Sequence, residues 1–193
     1  MKPAGDRTDP ELARLAADGD DRAFAELVRR HQEPLFRLLR RYLGSADEAQ
    51  EAAHEAFVAA WGALRRYDPE RPFGAWLRTI AINKARDRGR RIALRRRLFG
   101  ESLQEQAAEP TWRDPAPLSD DALIERETLA ILDQAIAQLP RSLKEPLLLT
   151  VIEGLSHKEA ADVLGLSAKS IETRVYRARR RLAEQLSRQA DNR

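Results

Sequence analysis

The segment that most constrains the fold lies near the C-terminus, at residues 155–186: LSHKEAADVLGLSAKSIETRVYRARRRLAEQL. Ser156 is followed three residues later by Glu159, which is the spacing of a capping box at a helix start. Gly165 supplies a tight turn, after which Ser167 is placed to cap a longer second helix. Apolar residues of that helix recur at spacings of three and four: Ile171, Val175, Ala178, Leu182 and Leu186. The segment therefore predicts two helices joined by a turn.

The outer face of the second helix is polar and basic. At about 100° per residue, five side chains point away from the apolar stripe: Lys169, Thr173, Tyr176, Arg177 and Arg180. A short helix, a glycine turn and a second helix with a basic outer face are typical of a DNA-reading helix-turn-helix. The alternative is an ordinary helical hairpin with a solvated basic face. Two caps, a turn glycine and the basic face together favour DNA binding, without indicating which class of DNA-binding protein this is.

Composition limits the remaining possibilities. A chain of 193 residues has room for one large domain or two small ones, and 42% hydrophobic with 34% charged residues fits small helical units. No apolar run approaches the roughly 20 residues of a membrane helix. The N-terminus, MKPAGDRTDPEL, lacks an apolar signal core, so a cytoplasmic protein is expected. The absence of cysteine excludes disulfides and thiolate metal sites.

The N-terminal half predicts a compact all-α domain at residues 9–97, after a disordered polar tail at residues 1–8. Asp9 is expected to cap a short first helix. A second helix should be kinked by Pro34 and end at Gly44.

A third helix is predicted where Ser45 and Glu48 repeat the capping-box spacing. We expect it to run to about Arg66, with Trp61 on its buried side. The turn-rich sequence YDPERPFG at 67–74 then forms a loop.

The helix after this loop carries a second polar pattern. Its inner face is apolar: Phe73, Trp76, Leu77 and Ile80. Beside this face, polar and basic residues recur at i, i+4, i+7 and i+11 and form a second stripe along the helix: Thr79, Asn83, Arg86 and Arg90. Residues 76–97 contain nine Arg or Lys and one acid, whereas a merely soluble helix end usually mixes both signs. Such a density of positive charge predicts contact with a polyanion. If the polyanion is a nucleic acid, the amide of Asn83 can reach a base edge and the arginines can bind phosphates.

The charge reverses in the next segment. Residues 98–125 contain seven acids and one base, with three prolines, and we expect an acidic linker at 98–121. It serves either as a solubilising spacer or as an imitation of nucleic acid that occupies a cationic channel on a partner. Helical periodicity returns at residues 122–188, where a four-helix domain is predicted. It should include one helix from about 142 to 153, followed by the helix-turn-helix.

Two nucleic-acid-facing helical domains and an acidic tether resemble a bacterial RNA polymerase sigma factor of the extracytoplasmic-function (ECF, group 4) type. The pattern W-L-x-x-I-A-x-N-x-x-x-D-x-x-R at 76–90 looks like the promoter −10 segment of a sigma-2 domain. The segment LPRSLKEPLLLTVIEGLSHKEAADVLGLSAKSIETRVYRARRRL looks like a sigma-4 domain. The resemblance covers about residues 20–188. It implies an all-α protein of two domains that binds core RNA polymerase, directs it to promoters and helps to open the duplex, with no covalent chemistry and no cofactor.

The resemblance also implies roles for particular residues. The segment that matches the family's docking site for the clamp helices of the largest polymerase subunit contains Glu48, Glu51, His54 and Glu55. The flap of the second-largest subunit is a further expected contact, and an anti-sigma factor is an expected partner. The −10 element is expected to contact Phe73, Thr79, Asn83, Lys84, Arg86 and Arg90. The loop at 68–74 and Asn83 match the elements of the family that hold and read an unstacked non-template base of the −10 element.

The −35 element is expected to contact the second helix of the helix-turn-helix through Lys169, Ser170, Glu172, Thr173, Arg174, Arg177 and Arg180. Glu172 departs from the basic residue frequent in the family, and an acid there can accept from cytosine N4.

Three other hypotheses receive less support from the sequence. An autonomous helix-turn-helix regulator would need a dimerisation or ligand-sensing element, where this chain has the −10 pattern. A helical adaptor without a DNA role is disfavoured by the basic stripes. A metal site is disfavoured because the three histidines lie on different predicted helices without paired ligand spacing: His31, His54 and His157.

Overall fold

The computed structural model describes residues 6–99 and 131–191, and all the regular structure in these two ranges is helical. The N-terminal bundle comprises α1 (Asp9–Ala17), α2 (Asp21–Leu43), α3 (Ala46–Ala63), a 3₁₀ turn (Leu64–Arg66) and α4 (Phe73–Phe99). The C-terminal bundle comprises α5 (131–138), α6 (Arg141–Leu147), a π-helical turn (Leu148–Ile152), α7 (His157–Leu164) and α8 (Ala168–Asp191). The all-α prediction is confirmed. Most of the expected acidic linker and the first part of the following helical pattern, at 100–130, lie outside the described residues, as do residues 1–5.

Local capping chemistry explains where the first two helices begin and end. The N-cap of α1 is Thr8, so the prediction of Asp9 was wrong by one residue; the Thr8 N–H donates to the Glu11 carboxylate at 2.7 Å. Asp20 caps α2 by accepting from two backbone N–H groups at 3.0 and 3.1 Å. Gly44 ends α2 with φ +77°, a left-handed conformation that favours glycine. Helix α2 continues without interruption through Pro34.

The core of the N-terminal bundle combines leucines of α1, α2 and α4 with small residues of α3. Four alanines of α3 are fully buried: Ala49, Ala52, Ala56 and Ala60. Because their side chains are small, α3 can approach α2 and α4 closely. Opposite them lie fully buried larger residues: Leu12, Leu27, Leu38, Leu39, Phe73 and Leu77. This packing holds α3 and α4, which contain the predicted polymerase-docking and −10 residues, side by side.

The C-terminal bundle differs from the sequence prediction at one position. A single helix was expected from about 142 to 153, but α6 continues as a π-helical turn. Pro146 has no N–H to donate to the helix ladder, and the Thr150 hydroxyl donates to the Pro146 carbonyl at 2.8 Å. After this turn, Gly154 adopts φ +68° and the chain enters α7.

Candidate nucleic-acid interface

The loop before α4 is braced by aromatic rings. Phe73 packs against His31, Tyr67 and Trp76, with ring centroids 5.2 to 5.5 Å apart. The Tyr67 hydroxyl donates to the Arg71 carbonyl at 2.6 Å, which closes the loop on itself. Phe73 is only 1% exposed, so its side chain supports the loop from inside and is not available to DNA in this arrangement. Its role as a −10 contact stays a prediction.

The polar stripe of α4 lies where the sequence predicts it. Asn83 is exposed, and its Oδ1 accepts from Arg86 Nη1 at 3.0 Å. The Thr79 hydroxyl donates to its own helix at the Ala75 carbonyl, 3.1 Å away. Lys84 is half-buried, and the exposed Arg90 is paired with Asp87. The amide of Asn83 and the basic side chains of α4 therefore share one surface.

Arg86 is bonded to the C-terminal bundle. Its Nε and Nη2 donate to both carboxylate oxygens of Glu145 at 2.8 and 2.7 Å, and the Tyr42 hydroxyl donates to the same carboxylate at 2.8 Å. Burial alone raises the pKa of Glu145, but the hydrogen bonds from Arg86 and Tyr42 and the charges of Arg86 and Arg141 outweigh burial and lower that pKa. Burial and the nearby Glu145 carboxylate raise the pKa of Tyr42 above its ordinary range. Glu145 is therefore an ionised acceptor at neutral pH.

The helix-turn-helix has the predicted caps. Ser156 N–H donates to the Glu159 carboxylate at 2.8 Å and Glu159 N–H donates to the Ser156 hydroxyl at 3.2 Å, which completes the capping box. Gly165 ends α7 with φ +67°, and Ser167 caps α8 by accepting from Ser170 N–H at 3.2 Å. The capping predictions for α7 and α8 are confirmed.

The outer face of α8 is available to a partner. Its apolar stripe is buried as far as Leu182, whereas five predicted DNA-contacting or outer-face residues are exposed: Lys169, Glu172, Thr173, Arg177 and Arg180. Tyr176, which was assigned to this face, is 68% exposed. Ser170 and Arg174 are half-buried, and Lys169 donates to Glu172 at 2.8 Å. Hydrogen bonding to Lys169, with its nearby charge, lowers the pKa of Glu172.

An open groove of about 710 Å³ extends the basic surface of α8 toward its C-terminus. Arg181 and Arg188 line it together with Tyr176, and Leu143 of α6 forms part of its wall. Arg181 and Arg188 were not among the predicted contacts. The available signal was their spacing, since Arg181 follows Arg174 by seven residues and Arg177 by four, and Arg188 follows Arg180 by eight. Residues so spaced share one helix face.

The predicted polymerase-docking residues on α3 fall into two groups. Glu51 and His54 are exposed, whereas Glu48 and Glu55 both accept from Arg88 of α4. Glu48 thus does not close a capping box on Ser45; only its backbone N–H donates to the Ser45 hydroxyl, at 3.4 Å.

Two apolar residues extend this face of α3. Val58 is 60% exposed and Trp61 is 40% exposed, so the prediction of a buried Trp61 was wrong. Trp61 rests one side on Phe24, with ring centroids 4.7 Å apart. The helical spacing placed Trp61 at the edge of the buried stripe, and only the packing of α2 decides how far it is covered. Val58 and Trp61 are candidate contacts that sequence reasoning missed.

The histidines are separated in space as well as in sequence. His31 Nε2 lies 2.7 Å from Asp9 Oδ2, whereas His54 and His157 are exposed on other helices. Within residues 6–99 and 131–191, no group of three or more His, Cys, Asp or Glu side chains is placed to hold a metal ion. None of the helices in these ranges is long and apolar enough to cross a membrane.

Comparison with known proteins supports the resemblance. Two family models match in order: Sigma-70 region 2 at residues 27–96 and Sigma-70, region 4 at residues 129–182. The chain is 39% identical over 173 residues to the RNA polymerase sigma factor CnrH of Cupriavidus metallidurans, covering 89% of this chain and 91% of that one. It is 31% identical over 170 residues to the ECF RNA polymerase sigma factor SigW of Bacillus subtilis, covering 87% and 91%. The solved structure of CnrH in complex with the cytosolic domain of CnrY aligns with a TM-score of 0.68 and 35% identity, covering 93% of this chain and 97% of that chain.

The chain belongs to the sigma-70 family and is an RNA polymerase sigma factor of the ECF type. The N-terminal bundle contains sigma region 2 and the C-terminal bundle contains sigma region 4. The sigma-factor hypothesis is thereby confirmed over the autonomous regulator.

Proposed function

We propose that this sigma factor docks on core RNA polymerase through α3, reads the −10 element with α4 and its preceding loop, and anchors on the −35 element with α8. The observation that carries the proposal is the exposed Asn83 on the basic surface of α4, a helix that begins at a loop closed by Tyr67 and braced by Phe73. An exposed amide among basic side chains, on the helix that follows a braced loop of sigma region 2, supports this reading of the −10 element.

Strand opening at the −10 element follows from this arrangement. Extruding a base from the duplex costs a few kcal/mol, and a pocket that needs no rearrangement loses little of its binding free energy to ordering. The ring packing of Phe73 supplies that rigidity. Lys84, Arg86 and Arg90 supply positive charge for the backbone of the unpaired strand, while Asn83 discriminates the base.

Duplex recognition at the −35 element is assigned to α8. Its N-terminal residues enter the major groove, where Ser170, Glu172 and Thr173 face base edges and the flanking cations face phosphates: Lys169, Arg174, Arg177 and Arg180. Positive charge along the helix supplies affinity that falls with salt concentration, and Glu172 supplies sequence preference.

Docking on polymerase is assigned to the exposed face of α3. Glu51 and His54 lie beside Val58 and Trp61, so the surface offers an acidic and polar part and an apolar part to the clamp helices of the largest subunit. The C-terminal bundle then lies on the flap of the second-largest subunit. Both contacts place the protein with polymerase in the cytoplasm.

An anti-sigma factor is the proposed regulator. The aligned structure of CnrH contains the cytosolic domain of CnrY. We propose that a protein of that kind covers the polymerase- and DNA-binding faces of this chain.

Reconstitution tests the proposed function. The purified chain with core polymerase should initiate transcription at specific genomic start sites, and core polymerase alone should not. Asn83→Ala should impair open-complex formation, measured by permanganate reactivity of unpaired thymines, while core binding stays intact. A chain that fails to direct initiation but alone protects a palindromic site from nuclease would contradict the proposal and support a repressor.

A further inference from the structure

Among the residues that the structure describes, three ion pairs join the two bundles, and all three have the same polarity. Arg41 of α2 pairs with Asp133 of α5 at 3.0 Å. From α4, Arg78 pairs with Glu153 at 2.6 Å, while Arg86 holds Glu145 through two hydrogen bonds. In each pair the arginine comes from sigma region 2 and the acid from the C-terminal bundle. In these pairs, arginines of sigma region 2 meet acids of the C-terminal bundle; Glu145 is also paired with Arg141 of its own helix at 2.9 Å.

The contact is buried enough to hold its geometry. The side chains of Glu145 and Glu153 are 6% and 8% exposed, and those of Arg86 and Arg78 are 20% and 22% exposed. Such partly buried, charge-assisted hydrogen bonds are stronger than surface pairs and are screened less by salt.

Lys144 closes the same interface from the C-terminal side. Its Nζ donates to the Tyr42 carbonyl at 2.9 Å and also to the Ala137 carbonyl. These carbonyls belong to the last turns of α2 and α5, where helix carbonyls lack intrahelical partners. One ammonium group therefore caps a helix of each bundle. The bundles approach so closely here that a Cβ added at Gly44 would lie 2.9 Å from that of Ala137.

Glu145 occupies the position on Arg86 that a DNA phosphate would need. The fork of a guanidinium binds a carboxylate and a phosphate in the same bidentate way. Arg86 also donates to Asn83 Oδ1, so the base-reading amide is engaged in the same network. The acid therefore competes directly with the phosphate backbone of the −10 element.

The closed arrangement also conflicts with the spacing of a promoter. Arg86 of α4 and Arg174 of α8 line one cavity of about 480 Å³ between the bundles. The −10 and −35 elements lie roughly 25 base pairs apart, which is about 85 Å of duplex. Both helices cannot engage their elements from one cavity. Residues 100–130, which connect the bundles, have a covalent reach of at most about 100 Å, so the chain length permits the separation.

We propose that the acidic face of the C-terminal bundle acts as an intramolecular substitute for promoter phosphates, which closes the free sigma factor and blocks its −10 surface until the bundles separate. The inference rests on the proposed −10 role of α4. In the closed form, apparent affinity for DNA is reduced in proportion to the small fraction of open molecules. Binding of core polymerase, which separates the two regions, then exposes the −10 surface only where transcription can start.

Energy transfer between two dyes measures the closure. The chain has no cysteine, so Ala25→Cys and Ala183→Cys, both at exposed positions, allow labelling of the two bundles in the full chain. We expect efficient transfer in the otherwise unaltered protein and a decrease when core polymerase is added. The double variant E145Q/E153Q should lower transfer in the free protein. Glu33→Gln is the matched control, because Glu33 pairs with Arg37 within α2 and both are exposed.

A second opening variant uses size instead of charge. Ala137→Leu adds bulk where α5 faces Gly44 and changes no charged group. Circular dichroism checks that helical content is kept in each variant. If both E145Q/E153Q and Ala137→Leu lower energy transfer, closure depends on this interface and on no single substitution. Transfer that stays at the unaltered level in both would overturn the inference.

Binding of a fluorescein-labelled, random-sequence single-stranded DNA tests the blocked surface. Fluorescence anisotropy should show at least about fivefold tighter binding by E145Q/E153Q and by Ala137→Leu than by Glu33→Gln, as expected for release of a coupled site. If the opening variants and Glu33→Gln bound this DNA with equal affinity, the inference that the acids take the place of DNA phosphates would be overturned. Initiation assays with core polymerase test the proposed function separately from the closure of the free protein. If the unaltered chain supports promoter-specific initiation but all variants bind DNA equally, only the closure is rejected. Loss of initiation by the unaltered chain rejects the proposed function.

Discussion

Arg88 of α4 donates from Nη1 to Oε1 of Glu55 on α3 at 3.0 Å. The same guanidinium is also hydrogen-bonded to Glu48. Two of the four acidic or polar residues expected to dock on polymerase are thus already bonded within the protein, whereas Glu51 and His54 on the same helix are exposed. A residue that braces α3 against α4 and a residue that contacts polymerase respond differently to substitution.

Glu51→Lys should therefore weaken binding to core polymerase by about tenfold or more, because it places a repulsive charge on the docking surface. Its free energy of unfolding should stay within about 0.5 kcal/mol of the unaltered protein, as for other surface substitutions. Competition against a fluorescently labelled sigma factor measures the affinity, and urea denaturation measures the stability.

Glu48→Gln provides the contrast. It removes the charged partner of a half-buried arginine and should lower the free energy of unfolding by about 1–3 kcal/mol. Core affinity should change less than in Glu51→Lys. If Glu48→Gln weakened core binding as much as Glu51→Lys does, and its free energy of unfolding stayed unchanged, Glu48 would be a direct contact of polymerase.

Val58→Asp should also weaken core binding, by about tenfold, since an exposed apolar side chain on a docking face is covered in the complex. Trp61 is a less clean test, because its contact with Phe24 also contributes to stability. Ala25→Asp introduces the same charge at an exposed position of α2 and should leave core affinity unchanged. Equal core affinity of the Val58→Asp and unaltered proteins would remove Val58 from the docking surface.

Lys144 predicts a dependence of stability on alkaline pH. Burial lowers the pKa of its ammonium to about 8 from an ordinary value of 10.5. Between these values the unfolded chain binds a proton that the folded protein has released, so folding becomes more favourable as pH rises. From pH 8 to about 9.5 the free energy of unfolding should rise by about 1–2 kcal/mol more in the unaltered protein than in Lys144→Met.

Lys158→Met, which removes an exposed lysine of α7, is the control and should keep the pH dependence of the unaltered protein. Measurements stop below pH 10 because Tyr42, whose pKa is raised by burial, acts in the opposite direction once the unfolded chain loses its phenolic proton. Identical pH profiles for Lys144→Met and the unaltered protein would contradict a proton loss at Lys144.

The helices and their ends were largely predictable from the sequence because they depend on local chemistry. Ser156, Gly165 and Ser167 determine caps and a turn from residues at most four positions away, and the structure has each of them. The apolar stripe of α8 was predictable for the same reason, since helical periodicity is itself local.

Contacts between distant residues were not predictable in this way. Tyr42 and Glu145 are 103 positions apart, and nothing in the sequence around either indicates that they meet. Helical periodicity equally left open whether Trp61 is covered, because that depends on the neighbouring α2. The stripe containing Asn83 and Arg86 was found from sequence, but the acid that Arg86 binds was not.

Glu172 should determine one position of −35 recognition. It is bonded to Lys169 in an exposed pair, and such exposed pairs contribute little to stability. Glu172 can therefore leave Lys169 and accept from the N4 amino group of a cytosine in the major groove. Lys169 is then released to bind a phosphate. Glu172→Ala should lose cytosine preference at one −35 position, with a discrimination of about 1–3 kcal/mol abolished, while binding to the other positions is kept.

Selection from a duplex library randomised over the −35 element, using polymerase reconstituted with each variant, measures this preference. Glu184→Ala is a closely matched control, because Glu184 forms a similar exposed pair with Arg180 at 3.1 Å on the same helix, but three turns farther from its N-terminus. Glu184→Ala should leave every selected position unchanged. An unchanged −35 sequence in Glu172→Ala would assign base reading on α8 to Ser170 and Thr173 and leave Glu172 with its lysine.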